Sequence, residues 1–468
     1  LYIGYQTTIF METNNKITIS FFGASETVTG SKYLIQANER TILVDCGLFQ
    51  GLKKLRLLNW DTLPFAPDKI DVVLITHGHL DHVGYLPKLV KEGFNKKILA
   101  SSPTLDVAEI ILKDSAHIQE EDAERANREH FSKHKPALPL YNSKDVEKTI
   151  SHFSAVPLNE WITLFNDIEV RYKYNGHIIG ATFIELKINR KIIVFSGDVG
   201  REKDLLMEPP QKPQQADVLF IESTYGDTVH PENAEEKLAA AITKAFERNG
   251  TIVIPGFALE RIQLLMYMIW KLKKQNIIPP IPVYMDSPMA RAILDVFHKY
   301  KEWHKIPLDE FSDMCKDIHL IEKIEETNAL AAKTQPKIII AGSGMATGGR
   351  VLTYLLHYIS NPSATVMLVG YQAEGTRGRR LLEGEKQLKI YGKYYEVKAT
   401  VENIEGLSAH ADQKELISWM SELKNKPEKI FVVHGETEAS QALREKIKEV
   451  YGWDSQTPKL YERIEINL

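Results

Sequence analysis

The chain has 468 residues, 43% hydrophobic and 26% charged, a composition that excludes a disordered or fibrous polymer and fits a soluble globular protein. At roughly 100–200 residues per domain, it holds two or three domains, each able to bury a core. A formal net charge of −4 excludes a uniformly basic nucleic-acid coat but leaves room for a local basic groove.

The two cysteines, Cys46 and Cys315, are too few for a disulfide framework, so a reducing cytoplasm is the expected setting. Residues 1–15 lack the basic stretch and apolar core of a signal peptide. Met11 is a candidate natural start, which leaves open whether residues 1–10 are native sequence. The longest apolar stretch, 262–270, is interrupted by Gln263 and far too short to cross a bilayer, so no membrane partner is expected.

Short β-branched runs alternate with longer amphipathic segments, which predicts an α/β fold. Taken in chain order, several runs of strand length end on a residue that can bind metal or move protons. Run 41–44 ends on Asp45, and run 72–76 ends on His77. Run 192–195 leads through Ser196 and Gly197 to Asp198. Run 218–221 ends on Glu222, and run 430–433 on His434. Active groups of α/β proteins gather where strands leave the sheet, so these endings predict one shared site.

The middle of the chain, 227–401, carries none of these endings and has its own strand–helix alternation. Helices are predicted over 233–248 and near 259–274, and strands over 251–254, 283–285 and 337–341. This segment is read as a second domain inserted into a first one built from 1–226 and 402–468. Its Gly-rich stretch 342–350 follows a strand and precedes a helix over 350–359. Backbone amides at Ser343 and Gly344, with that helix N-terminus, could hold a phosphate; close helix–strand packing is the commoner use of such a loop. Arg377, with Arg379 and Arg380, is either a phosphate contact or part of a solvated charge run.

The strongest signal is residues 77–82, His-Gly-His-Leu-Asp-His. Three imidazoles and a carboxylate lie within six residues, after an apolar strand, and both groups are good zinc ligands. Alternate residues of such a turn can face two neighbouring ions. Two ions need about seven protein donors, so the hexad is incomplete by itself. His177, Asp198 and His434 are candidates, each in a glycine-flanked turn, where a lone polar loop residue would be the bland reading. Cys46 follows Asp45, and strand alternation points it into the core. The other nine histidines lack ligand context and are read as structural or exposed.

His-x-His-x-Asp-His followed by His177, Asp198 and His434 resembles the metallo-β-lactamase superfamily. The resemblance implies that His77, His79 and His177 hold one zinc, that Asp81, His82 and His434 hold the other, and that Asp198 bridges them. It also implies an orienting role for Asp45, and 23–31 is similar to the superfamily's opening hairpin. Glu222 in Ile-Glu-Ser-Thr-Tyr-Gly and His410 in Leu-Ser-Ala-His-Ala-Asp resemble motifs A and B of the β-CASP family, and His434 matches motif C.

The likeness runs from about residue 16 onward, through 342–350 and 371–380, and is nearest to bacterial and archaeal β-CASP ribonucleases. No archaeal-style N-terminal KH domain is recognisable. The fold it implies is an αββα sandwich with an α/β β-CASP insert. The activity it implies is a two-zinc ribonuclease in which a metal-bound hydroxide attacks phosphorus. His410, oriented by Glu222, would protonate the leaving oxygen, giving 5′-phosphate and 3′-hydroxyl ends. Histidine at motif C goes with RNA-cutting members and valine with DNA-cutting ones, so single-stranded RNA is the expected partner. A DNA nuclease with the same site and a non-catalytic RNA-binding scaffold remain the alternatives, and a homodimer is left open.

Overall fold

A computed structural model of the chain describes residues 16–130, 133–370, 372 and 375–468. The reading of residues 1–10, the signal-peptide reading of 1–15, and Tyr371, Ala373 and Glu374 of the 371–380 motif lie outside the described residues.

Two sheets face each other. The seven-stranded one runs, in spatial order, Arg463–Asn467, Lys16–Phe21, Tyr33–Ala37, Arg40–Val44, Val72–Leu74, Lys97–Ala100, Phe153–Ala155. The six-stranded one runs Lys429–Val433, Val218–Glu222, Lys191–Phe195, Thr182–Ile188, Ile168–Tyr174, Ile162–Phe165. Strand alternation decides which layer each side chain joins. Val218 and Phe220 point into the space between the sheets, whereas Leu219 and Ile221 point out onto the helices Gln413–Trp419 and Thr437–Tyr451. Helices Ser102–Arg128 and Ser143–Ile150 cover the outer face of the other sheet. The result is the αββα sandwich expected from the sequence.

The space between the sheets is centred on aromatics. The Phe220 ring lies 4.4 Å from Phe195, 5.1 Å from both Tyr33 and Phe431, and 5.5 Å from Phe21. Offset and tilted packing of this kind adds to plain area burial.

The inserted segment forms a third sheet, six strands all parallel: Ile318–Leu320, Val283–Asp286, Lys337–Ala341, Thr251–Pro255, Thr365–Val369, Thr400–Ile404. Helices sit on both its faces, so its strands are unbroken apolar runs such as Ile338-Ile339-Ile340 rather than alternating ones. Its last strand, Thr400–Ile404, spans residue 401, where the sequence reading changes domain. The chain then returns to the first domain. Lys429–Val433 pairs in parallel with Val218–Glu222, and Arg463–Asn467 pairs antiparallel with Lys16–Phe21.

The domains share packing as well as chain. Helix Ser102–Arg128 lies against Pro288–Lys299, and Lys299 Nζ reaches Asp106 at 2.5 Å. Cys46 is buried in the core, as alternation requires, and both cysteines are free. No described helix is long and apolar enough to cross a membrane.

Phe220→Ala should cost about 3–5 kcal/mol of stability, the usual penalty for emptying a large aromatic site. Chemical denaturation of the parent and variant measures it; a loss below about 1 kcal/mol would mean that the intersheet core is not built around this ring.

Candidate active site

The five strand endings come together because the strands that carry them run parallel. Val44 pairs with Leu74 in one sheet; Phe195 pairs with Phe220, and Glu222 with Val433, in the other. Their carboxyl ends therefore open at one edge of the sandwich. Asp45 and His434 turn sharply there, with φ of 56° and 49°. Positive φ is uncommon outside glycine, and Asp and His are among the residues that adopt it most. The hexad loop is pressed onto the turn after Asp45. A Cβ at Gly47 would lie 1.5 Å from the Asp81 carbonyl oxygen, so only glycine fits. Cys46 N–H donates to His82 O and Leu48 N–H to Leu80 O.

Seven donors converge in two groups. In the first, His79 Nδ1 lies 3.1 Å from His77 Nε2 and 3.2 Å from His177 Nε2. Asp198 Oδ2 lies 3.3 Å from His77 Nε2 and 3.6 Å from His177 Nε2. In the second, His434 Nε2 lies 3.2 Å from both His82 Nε2 and Asp81 Oδ2. Asp198 Oδ1 is 3.4 Å from His82 Nε2. Asp198 thus gives one oxygen to each group.

The donor set fits zinc on its own geometry. A neutral imidazole has one N–H, so ring nitrogens this close cannot all be hydrogen bonded to one another. They converge instead as ligands do: four donors about 2.0–2.1 Å from a tetrahedral zinc stand roughly 3.3 Å apart. Asp198 Oδ1 is buried and has no hydrogen-bond partner among the described residues. Burial, foremost, lowers the pKa of His77 to about 3 and of His79 to about 4, and holds His177 well below the ordinary value. All three are therefore neutral and able to bind a cation. Burial opposes charge on His82 as well, but the carboxylates of Asp198 and Asp45 outweigh it and raise its pKa.

Around the donors stands a set of orienting groups. Asp45 Oδ2 lies 2.7 Å from His82 Nδ1, which leaves Nε2 facing the cluster. The Asp45 carboxylate is itself held by the Thr76 N–H at 2.8 Å and hydroxyl at 2.9 Å. On the other side, Thr224 Oγ1 is 3.1 Å from His434 Nδ1. Thr76 carries no sequence signal, and Thr224, though inside the motif at 221–226, has no evident partner until the fold sets it behind a ring.

Glu222, fully buried, accepts from the Val199 N–H at 2.7 Å and the Thr224 N–H at 3.2 Å, and its Oε1 is 3.2 Å from His410 Nδ1. Glu222 also falls within ligand distance of Asp198 and His434. Its oxygens accept from the Val199 and Thr224 N–H groups, and Oε1 also faces His410. The His410 side chain is 20% exposed, 4.0 Å from Asp198 Oδ2 at Nδ1, with its ring 4.3 Å from that of His177. Burial lowers its pKa, but the Glu222 carboxylate more than compensates, so the net shift is upward. His230, read as structural, sits behind it: its Nε2 is 3.2 Å from the His410 carbonyl oxygen and its ring is edge-on to Tyr225.

The seam with the insert holds a group of residues that sequence reasoning missed. Glu260 (φ 67°, ψ −51°) is the middle of a three-residue turn closed by Arg261 N–H to Leu259 O, a strained form of γ-turn. Both Glu260 oxygens, and Nε and Nη1 of Arg261, are buried without hydrogen-bond partners among the described residues. Burial, reinforced by Asp204, pushes the Glu260 carboxyl up to about 8.

Ser343 and Gly344 lie just past Lys337–Ala341, at the carboxyl edge of the insert's sheet. Arg377 does not extend from there as a free cation. Its Nε donates to Lys389 O at 2.7 Å and its Nη1 to Ala346 O and Thr347 O at 3.2 and 2.8 Å. Through these bonds it clamps the Gly-rich loop to the following hairpin, which leaves Nη2, among the described residues, as the nitrogen open to a phosphate. Arg379 pairs with Glu383, and Arg380 approaches Glu385, as in a solvated charge run.

Comparison with known proteins extends these observations. Three family descriptions match successive parts of the chain. They are the metallo-beta-lactamase superfamily over 27–256, the Beta-Casp domain over 262–381, and a Zn-dependent metallo-hydrolase RNA specificity domain over 394–458. The chain is 33% identical over 431 residues to ribonuclease TTHA0252 of Thermus thermophilus, covering 90% of this chain and 94% of that protein. It is 30% identical over 474 residues to the transcription termination factor FttA of Methanocaldococcus jannaschii, covering 96% and 72%. A crystal structure of a protein of unknown function from Enterococcus faecalis superposes with a TM-score of 0.55 at 15% identity, covering 96% of this chain and all of that one, which speaks for the fold alone. With the buried histidine–aspartate cluster and the inserted parallel sheet on the same footing, the chain belongs to the metallo-β-lactamase superfamily, in its β-CASP branch, and is a metal-dependent hydrolase.

Proposed function

We propose that this protein hydrolyses phosphodiester bonds of single-stranded RNA at a two-zinc centre, leaving 5′-phosphate and 3′-hydroxyl ends. The observation that carries the reading is Asp198, one oxygen in each of two donor groups, with the Glu222–His410 pair beside it. His77, His79, His177 and Asp198 would hold one ion; Asp81, His82, His434 and Asp198 the other. When bound, zinc supplies Lewis acidity, which polarises a phosphoryl oxygen and makes water more acidic.

The protein's own groups do the rest. Asp45 keeps the His82 ring turned so that Nε2 faces the cluster, as carboxylate partners of metal-binding histidines do. Asp198 sets the spacing between the two groups. Glu222 holds His410 at Nδ1, so Nε2 is the atom that delivers a proton to the leaving 3′-oxygen. Ser343 and Gly344 stand on the insert side, where their backbone amides can meet a neighbouring phosphate. RNA rather than DNA is supported by histidine at position 434, by the match to an RNA specificity domain, and by the activity named for the Thermus thermophilus relative. Two free cysteines fit a cytoplasmic setting.

Protein purified without chelator should carry two zinc ions per chain by elemental analysis. Asp198→Ala should lose most of both, because one carboxylate serves both groups. Chain with no metal, and none regained from added zinc, would sink the reading. Matched single strands test the substrate: RNA should be cut faster than DNA of the same sequence, and equal or better DNA cleavage would favour a DNA nuclease.

The proton role has its own signature. An alkoxide leaves poorly without a proton, and a general acid typically contributes about 10²–10⁴-fold. His410→Ala should therefore keep its metal and cut RNA more slowly by about that factor. Bis(p-nitrophenyl) phosphate, whose nitrophenolate leaves unaided, should still be hydrolysed at close to the parent rate. Glu222→Gln should show a weaker version of the same split. Equal loss on both substrates, or loss of a metal ion, would make His410 a ligand or packing residue.

A further inference from the structure

One exposed element of the insert has no part in the site described above. Strands Gln387–Ile390 and Lys393–Glu396 form a separate two-stranded hairpin, with Lys389 opposite Tyr394 and Ile390 opposite Lys393. Its connection is only two residues, Tyr391 and Gly392, at φ of 46° and 84°. Two positive φ values in a two-residue hairpin loop define a primed turn, for which Asn-Gly is the favoured sequence. A tyrosine in the first place is a bulky residue in the left-handed region, where a side chain other than glycine, asparagine or aspartate is disfavoured. The ring does not recover this by packing inward. Tyr391 is 59% exposed and Tyr394 63% exposed, whereas Leu388 and Ile390 on the other face are buried.

The carboxylates near these rings are already paired, Glu396 with Lys398 at 2.9 Å and Glu385 with Arg380 at 3.8 Å, whereas several cations there are not. Lys386, Lys389 and Lys393 are exposed, and none has a carboxylate within ion-pair distance among the described residues. Lys389 Nζ lies 5.6 Å from the centre of the Tyr394 ring. Exposed aromatic rings interleaved with unpaired cations on a chain of net charge −4 are complementary to a polyanion with flat, stackable groups.

The hairpin is rigidly joined to the cleft. Arg377 ties Lys389 O to Ala346 O and Thr347 O of the Gly-rich loop. Gly344 of that loop lies against the ring of Phe257, itself 38% exposed. Phe257 begins the turn that carries Glu260, whose carboxyl group senses the charge on His410. Contacts thus run from Phe257, along the carboxyl edge of the insert's sheet, to the hairpin.

We infer that this hairpin is a stacking platform for single-stranded RNA lying away from the scissile phosphate: Tyr391 and Tyr394 stack bases, and Lys389, which shares the Tyr394 face, follows the backbone. The inference rests on the ribonuclease reading above. It makes the enzyme prefer long strands over short ones, because only a strand that extends past the Gly-rich loop reaches the rings.

The test compares Tyr391→Ala, Tyr394→Ala, their double variant and Lys389→Gln with the parent, on a 20-nucleotide single-stranded RNA, on a dinucleotide and on bis(p-nitrophenyl) phosphate. Each lost stack should raise KM for the 20-mer by about 5- to 150-fold. The kcat and the rates on the two small substrates should stay at parent values. Lys389→Gln should lower the slope of log KM against log salt by roughly 0.7, the value for one single-strand phosphate contact. Tyr391→Asn separates binding from folding. It restores the favoured turn residue, so its melting temperature should equal or exceed the parent's while KM for the 20-mer still rises.

Unchanged KM in the double variant would overturn the inference. So would a variant that changes the sedimentation mass, which would make the rings an interface between copies of this chain. If the parent itself cuts no RNA yet hydrolyses the nitrophenyl ester, the ribonuclease reading fails first, and that outcome is told apart by the parent alone.

Discussion

Asp198 is the constraint on which the centre depends. A carboxylate buried to 2% exposure is unfavourable unless cations or strong donors surround it. Here histidines surround it on two sides, and its two oxygens divide them into two groups. With both oxygens facing ring nitrogens, neither group is complete without it. The same sharing explains the split in histidine behaviour. His77, His79 and His177 are driven neutral by burial, whereas His82 and His434 are held toward the charged form by Asp198 and their other carboxylate neighbours. A divalent cation placed among the donors would take over the role that protons play on the second pair.

That arrangement needs a scaffold that can bring distant strand ends to one edge. Parallel pairing does this within each sheet, and the aromatic packing around Phe220 holds the two sheets at a fixed distance. Close backbone approach then sets the hexad. Gly47 lies so near Asp81 O that no side chain could be there, and Gly197, at φ 53°, passes the chain under Thr76 to reach Asp198. The orienting groups Asp45, Thr76 and Thr224 sit in the layer behind and hold the rings of His82, His77 and His434 from the side away from the cluster.

The insert contributes in a different way. Its parallel sheet presents its carboxyl edge to the first domain, the usual place for ligands in such sheets. The strained turn at Glu260 lies at this junction, followed by the buried Arg261, whose Nε and Nη1 have no hydrogen-bond partner among the described residues. Further out, Arg377 ties the Gly-rich loop to the hairpin that carries the exposed tyrosines. A catalytic edge from one domain and an extended wall from the other suit a long, flexible substrate better than a small one.

Local patterning determined much of this. The hexad, the strand runs ending on Asp45, His77, Asp198, Glu222 and His434, and the unbroken apolar strands of the insert are all written in contiguous residues. Period-two burial and ligand spacing act over a few residues, so they can be read from the chain. What tertiary structure alone decided is long-range. Glu222 and His410 are 188 positions apart, and His82 and His434 are 352 apart; no local pattern sets their distances. Thr76, Thr224, His230, Glu260 and Arg261 are ordinary residues until the sheets and the insert place them around the centre. Arg377 shows the limit most plainly. Its sequence neighbourhood describes an exposed cation, but three backbone carbonyls supplied by two other segments engage its Nε and Nη1, because a guanidinium is used by whatever acceptors the fold sets around it.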